Sequence, residues 1–204
     1  MHLTKQHFFG EVIESSLQQW KAQTWQWDYF PRFGSLVTIQ TAERTLFGVV
    51  YHVETGSNDP SRLPYPYQKT EAELLQEQPH IFEFLKTTCT CLIIGYQEEN
   101  TVFYHTAPQP PKIHAFVGHA TVEQMTIFFQ KDLYLPMLFG FNQATLPLDE
   151  LILIQLQQMV QLKLLTTQRL ICFMQLFSLL THHDYRRLKL FLQRAQTLIP
   201  THQL

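Results

Sequence analysis

Charged residues are scarce in this chain of 204 residues. Asp, Glu, Lys and Arg make up 16% of it, and 45% of it is hydrophobic. An average soluble domain has a charged content of about 25%. The net charge of −2 lacks the strong basic excess that is typical of proteins that bind nucleic acid in bulk. The composition therefore indicates a folded, weakly charged globular protein, and it disfavours nucleic acid as a partner.

We expect neither a disulfide framework nor a signal peptide, and the sequence has no long unbroken apolar run. Its three cysteines, Cys89, Cys91 and Cys172, are too few for a disulfide-based fold. The most apolar stretch, 151–180, is interrupted by glutamine, lysine and arginine, whereas a bilayer span needs about 20 nearly unbroken apolar residues. These absences predict a cytoplasmic protein without a membrane span.

Nucleotide-binding motifs are absent from the sequence. Neither Gly-x-x-x-x-Gly-Lys-Ser/Thr nor Gly-x-Gly-x-x-Gly occurs, and these are the motifs whose backbone N–H groups hold phosphates. The polar loop at 55–62 follows an apolar strand, as many phosphate-binding loops do, but it has one glycine and no lysine. We therefore expect no P-loop chemistry, no catalytic residue and no cofactor.

Ten histidines suggest a metal site at first sight. Four of them lie on or near predicted strands: His52, His105, His114 and His119. A zinc site needs three or four ligands that converge in space, and no Cys-x-x-Cys or His-x-x-x-His pair concentrates them. We therefore expect no metal, and we expect Cys89 and Cys91 to act as small apolar residues within a strand.

Glycine and proline divide the chain into parts. All seven glycines lie in the first 140 residues, and no proline occurs between Pro147 and Pro200. Because glycine serves turns and bulges and weakens helices, we predict a β-rich part at 1–120, a linker at 121–145 and an α-helical tail at 146–204. Short strands are predicted at 10–14, 20–29, 35–39, 46–53, 87–96, 102–106 and 113–117.

A helical insertion interrupts the strands at about 69–86. Thr70 and Glu73 form a capping box, which predicts a helix from 71 to about 78. Pro79 suits the first position of a second short helix. The predicted fold class is α+β: a small closed antiparallel β-barrel with this insertion, which we expect to cap one mouth, followed by the α-helical tail.

The tail is rich in leucine and mildly basic. Residues 146–204 contain six basic and three acidic residues. Asp149 and Glu150 suit the start of a helix, and Asp184 suits the cap of a last helix. The pattern leaves open whether 149–180 is one helix or two. Such a leucine-rich tail needs a partner surface, either the barrel or another subunit.

The glycine-led strands GEVIE at 10–14, FGSLV at 33–37 and FGVVY at 47–51 resemble the barrel shared by HerA-type translocases and rotary ATP synthase subunits, the HAS barrel. Segments 55–73 and 78–83 resemble its stand-alone, cyanobacterial-type forms. The resemblance covers about 8–120. It implies a six-stranded closed barrel that acts as a collar where ring subunits associate. A motor domain follows the barrel in large members, and here the helical tail takes its place.

These features favour a non-catalytic assembly or adaptor protein that associates with an ATPase ring or with copies of itself. The candidate contact residues lie on one face of the strand at 20–29, in the loop at 55–62 and on the tail: Trp25, Trp27, Tyr29, Thr55, Asp59, Arg62, Arg186, Arg187 and Arg194. Two alternatives stay open. One is a nucleic-acid-binding small barrel whose aromatic residues stack on bases. The other is a small enzyme or ligand-binding barrel that uses His52, Asp59 and His105.

Overall fold

A computed structural model of the chain describes residues 7–59, 61, 63–141 and 146–198. The strands are β1 Phe8–Ser15, β2 Gln19–Thr24, β3 Leu36–Gln40, β4 Arg44–Ser57, β5 Leu85–Glu98, β6 Thr101–Phe103 and β7 Phe116–His119. The α-helices are α1 Glu71–Glu77, α2 Val122–Phe128, α3 Leu135–Gly140, α4 Leu148–Gln161, α5 Thr167–Leu180 and α6 Tyr185–Gln196, and a 3₁₀ helix spans Pro79–Phe84.

Six strands form a closed antiparallel barrel. They pair in the order β2-β1-β7-β3-β4-β5, and β2 pairs with β5 to close the ring. The short strand β6 extends the sheet as a hairpin with β5. The α+β class, the closed barrel, the helical insertion and the helical tail that the sequence predicts are confirmed.

Apolar side chains fill the barrel interior. Trp20 is the largest of them and is fully buried. A Cβ at Gly48 would lie 2.2 Å from Cη2 of the Trp20 indole, so glycine at that position leaves the space that the ring occupies. Cys89 and Cys91 pair with Ala22 and Trp20 across β2 and β5 and are buried in the same cluster. Burial raises the pKa of the Cys91 thiol.

The strand predicted over 20–29 is wrong beyond Thr24. The Thr24 hydroxyl donates a hydrogen bond to the carbonyl of Gln26 at 2.7 Å. The backbone N–H of Tyr29 donates to the same carbonyl at 3.3 Å. These bonds turn the chain, so the alternating aromatic residues that follow β2 belong to a turn and not to one face of a strand.

The insertion lies at the end of a two-stranded ribbon. β4 and β5 are each 14 residues long, and their pairing continues to Ser57 opposite Leu85. Helix α1 and the 3₁₀ helix connect the two arms of this ribbon. The capping box predicted at the start of α1 is present, because Thr70 and Glu73 each accept a hydrogen bond from the other's backbone N–H.

The segment predicted as a linker contains two short helices, α2 and α3. Their buried aromatic residues pack on the outside of the barrel: the rings of Phe128 and Phe47 lie 4.8 Å apart between centroids. Phe129 and Tyr134 are also fully buried. This segment is therefore a packed layer between barrel and tail, although 142–145 lie outside the described residues.

The tail forms three helices, which settles the question that the sequence left open. The break between α4 and α5 follows Lys163, whose φ is 58°, and the Thr166 side chain caps the start of α5. Asp184 caps α6 as predicted. None of the helices within the described ranges has the length and apolarity that crossing a bilayer requires.

Helix α4 docks on the barrel at Gly34. The side-chain amides of Gln155 and Gln158 both donate to the Gly34 carbonyl, at 2.6 and 2.9 Å. One hydrophobic cluster then runs from the outer barrel residues Phe47 and Val49 through the helices. Barrel and tail thus share a single core on this side.

Tyr104 ties the chain after β6 to helix α2. Its hydroxyl donates to the Phe128 carbonyl at 2.6 Å, and burial raises its pKa to about 12. Tyr104→Phe should lower the free energy of unfolding by about 1 kcal/mol at pH 8. Because the pKa in the unfolded chain is about 10, the stabilisation is complete below pH 10 and is lost as the pH rises through 12.

Urea unfolding at pH 8 and pH 11 measures both effects. The wild type should lose more stability than Tyr104→Phe between the two pH values, because only the wild type has the phenol at position 104. Tyr65→Phe changes a tyrosine that is 72% exposed and is the control. Equal losses in wild type and Tyr104→Phe would contradict the expected titration.

Candidate protein-interaction surface

The helical insertion contains apolar residues but no core. Neither α1 nor the 3₁₀ helix has a buried residue, although the two contain Leu74, Leu75, Ile81, Phe82 and Phe84. Both hydrophobic clusters of the described residues leave out the insertion. Leu75 and Phe84 are exposed, and the other three are half-buried, whereas residues of this type are usually buried in a core.

The insertion and the loop before it enclose an open groove of about 560 Å³. Apolar and aromatic side chains form most of its lining: Leu63, Tyr65, Tyr67, Leu74, Phe82 and Phe84. Leu63 is 85% exposed and Tyr65 is 72% exposed. We call these residues the insertion groove. A concave, aromatic surface of this kind suits the burial of apolar side chains from a partner.

Trp27 supports the insertion groove from the side of the barrel. Its ring stacks on Phe82 with centroids 5.4 Å apart and planes 22° apart. Its carbonyl accepts a hydrogen bond from the Thr87 hydroxyl, which fixes the turn after β2 to the start of β5. The structure thus brings this member of the predicted aromatic set to the groove.

Trp25 and Tyr29, which the sequence places on one face with Trp27, lie elsewhere. The Trp25 ring packs edge-to-face on Phe116 at 5.4 Å, and its Nε1 donates to a Glu11 carboxylate oxygen at 3.0 Å. Tyr29 makes an edge contact with His119 at 6.3 Å. The prediction of one shared face is wrong, because the chain turns after Thr24.

Thr55 and Asp59 shape the loop at the edge of the groove. The hydroxyls of Thr55 and Thr87 share a hydrogen bond of 2.7 Å across the ribbon. Asp59 accepts hydrogen bonds from the backbone N–H of Ser61 at 2.9 Å and from its hydroxyl at 2.6 Å. Ser57 and Ser61 lie on the groove lining. The third predicted residue of this loop, Arg62, lies outside the described residues.

The tail arginines divide into two groups. Arg187 makes two hydrogen bonds of 3.2 Å and one of 2.6 Å to the Asp149 carboxylate. Arg194 pairs with Glu150 at 2.6 Å, and this contact lowers the pKa of Glu150. Both residues fix α6 on α4. Arg186 is exposed and forms no ion pair among the described residues.

The residues of the enzyme or ligand-binding alternative lie at or beside different rows of the ribbon. His52 pairs with Thr90, Asp59 follows the row of Ser57 and Leu85, and His105 contacts Tyr96. The row of His52 is five residues from the row of Ser57 and six residues from the row of Tyr96. At about 3.3 Å per residue, these separations are roughly 15–20 Å. Apolar side chains fill the barrel interior, and residues 7–59, 61, 63–141 and 146–198 contain no group of three or more His, Cys, Asp or Glu placed to hold a metal ion.

The sequence did not identify most of the groove. Leu63, Tyr65 and Tyr67 lie in a loop of prolines between a strand and a helix, where polar turn residues are more common. Their apolar character in that position was the available signal. The stacking of Trp27 on Phe82 needed the three-dimensional structure, because 55 positions separate the two rings.

Comparison with protein-family models finds no match to the chain, and comparison with curated proteins finds none either.

Proposed function

We propose that this chain is a non-catalytic assembly or adaptor protein, whose barrel and leucine-rich tail associate with another protein. The observation that supports this proposal is the insertion groove, an aromatic surface formed by the loop at 63–67 and by two helices that contain no buried residue. The partner is an ATPase ring or further copies of the chain, as the resemblance of the barrel to the HAS collar implies.

The energetics favour a protein partner for the groove. Burial of apolar surface stabilises a complex by about 25 cal/mol per Å², and aromatic residues dominate the energetic centres of protein interfaces. The ribbon of β4 and β5 and the stacked Trp27 and Phe82 rings hold part of the groove in place before binding. A preformed surface loses less conformational freedom on association.

The charges around the groove disfavour nucleic acid. Residues 69–86 contain four glutamates and two lysines. Lys21, one of two basic residues near the aromatic turn, pairs with Glu54 at 2.7 Å. Single-stranded nucleic acid needs cations beside the aromatic platform, whereas a protein partner does not.

The double variant Leu63→Ser/Tyr65→Ser tests the proposal. We expect it to weaken association more than tenfold, since loss of an interface centre costs at least about 2 kcal/mol and about 1.4 kcal/mol is a tenfold change. Its stability should stay within about 0.5 kcal/mol of wild type, because both side chains are exposed. Light scattering after size exclusion and capture from native extract measure the association.

The matched control is Leu133→Ser/Tyr29→Ser, which removes the same two side-chain types from positions that are 52% and 50% exposed. It should associate like the wild type. The proposal would be overturned if the groove variant associated as strongly as the wild type. It would also be overturned by a wild type that stays monomeric and captures no protein. Filter binding of short single strands at two salt concentrations tests the nucleic-acid alternative, which requires a steep loss of affinity with salt.

A further inference from the structure

We infer that the occupant of the insertion groove is a second copy of this chain, which presents the exposed face of its helix α6. This inference rests on the proposed function and names its partner. It is supported by the shape of the α6 surface, by the charges on both surfaces and by the way that α6 is held.

The exposed face of α6 combines apolar and basic residues. At about 100° per residue, the side chains at positions i, i+1, i+4, i+5 and i+8 fall within roughly 140° of the helix circumference. On α6 these are Tyr185, Arg186, Lys189, Leu190 and Gln193, and all of them are exposed. Tyr185 is 75% exposed and Leu190 is 54% exposed. The opposite face holds Phe191 and Ala195, which are buried.

Half of the basic residues on α6 form no ion pair among the described residues. Helix α6 contains four basic residues and no acidic residue. Two of them, Arg187 and Arg194, pair with carboxylates of α4. The other two, Arg186 and Lys189, form no ion pair among the described residues. The exposed face of α6 is therefore a positively charged surface with two apolar side chains.

The insertion has the complementary pattern. Glu77 pairs with Lys69, and Glu73 is engaged in the capping box with Thr70. Glu71 and Glu83 form no ion pair within the described part of the chain. Glu71 lies on α1 and Glu83 lies on the 3₁₀ helix, and both helices contribute side chains to the groove lining. On α6, two cations lie on the same face as Tyr185 and Leu190. Recognition of an amphipathic helix by an apolar groove with charges of opposite sign is a common mode of protein association.

Helix α6 is held rigidly enough to act as such a ligand. The pairs of Arg187 with Asp149 and of Arg194 with Glu150 fix it on α4, and Phe191 stacks on Phe177 at 4.3 Å. Groove and helix face are different surfaces of one chain. Their pairing is therefore head-to-tail, which closes into a ring or continues as an open chain.

Charge reversal tests this inference with the full-length protein. Wild type should show a light-scattering mass that rises with concentration above the 24.1 kDa of one chain and falls with added salt. Glu71→Arg/Glu83→Arg and Arg186→Glu/Lys189→Glu should each associate at least tenfold more weakly, because like charges then face each other. The variant with all four changes should associate with an affinity within about threefold of the wild-type value, since each of its pairs is again opposite in charge.

Rescue by the fourfold variant excludes unfolding as the cause of the losses, and circular dichroism checks each fold independently. A wild type that remains one chain at all concentrations, or charge reversals without effect, would overturn the second copy as occupant. The proposed function is decided separately by the Leu63→Ser/Tyr65→Ser variant. If that variant loses capture of a different protein while wild type is a monomer, the adaptor function stands and this inference fails.

Discussion

Trp20→Ala is expected to lower the free energy of unfolding by about 3–5 kcal/mol, the usual cost of truncating a large aromatic side chain in a core. Trp20 is fully buried and lies at the β2–β5 junction that closes the barrel, opposite Cys91. Gly48, which has no side chain, lies against the Trp20 ring. Because Gly48 has no side chain that could move into the cavity, this wall of the site can collapse only by moving backbone, and the cost should be near the upper end.

Urea unfolding followed by circular dichroism measures this loss. Trp25→Ala is the matched control, since it removes the same side chain from a position that is 44% exposed. It should cost about 1 kcal/mol, because it removes one hydrogen bond to Glu11 and a contact with Phe116 without opening a cavity. Similar costs for the two variants would contradict a barrel that Trp20 fills.

Arg169→Ala is expected to cost about 3 kcal/mol at pH 7, because it leaves a mostly buried carboxylate without its partner. Arg169 pairs with Asp132 at 3.0 Å, and the two side chains are 16% and 14% exposed. The pair joins the start of α5 to the segment between α2 and α3. Burial already raises the pKa of Asp132 even with Arg169 present, so the pKa should rise further without it.

The pH dependence of this variant has a definite sign. A folded-state pKa above the unfolded value of about 3.9 means that the folded state binds the proton more readily. The cost of Arg169→Ala should therefore shrink as the pH falls from 7 towards 4.5. Asp132→Asn added to Arg169→Ala should recover most of the loss at pH 7, because no buried charge then remains. The buried pair would be contradicted if Arg169→Ala cost the same at pH 7 and pH 4.5 and if Asp132→Asn did not recover the loss.

Local patterns in the sequence predicted much of the fold. Glycines and short apolar runs located the barrel strands, and Thr70 and Asp184 marked the starts of α1 and α6. Composition alone led to the prediction of a linker at 121–145 and missed its two helices. The capping box of Thr121 and Gln124 was the available signal for α2. The turn after Thr24 was missed because alternating aromatic residues also satisfy the pattern of a strand.

The insertion groove was less accessible to prediction, because tertiary contacts decide which side chains remain exposed. Arg187 and Arg194 are predicted partner contacts, and the pairing of each with a carboxylate of α4 that is 38 or 44 positions away could not be read from the sequence. Trp27 reaches the groove only because the β4–β5 ribbon extends far enough to place Phe82 against it. Residue types led to the expectation of an associating protein, and the tertiary contacts show which side chains line the insertion groove.

The most direct test of association through the insertion groove is site-specific photo-crosslinking in native extract, with the photoreactive residue at position 65 or at position 29. Tyr65 and Tyr29 are 72% and 50% exposed, so both positions are accessible. The proposed function predicts a covalent product of two polypeptides from position 65 and none above background from position 29. No product from position 65, or equal products from both positions, would contradict it.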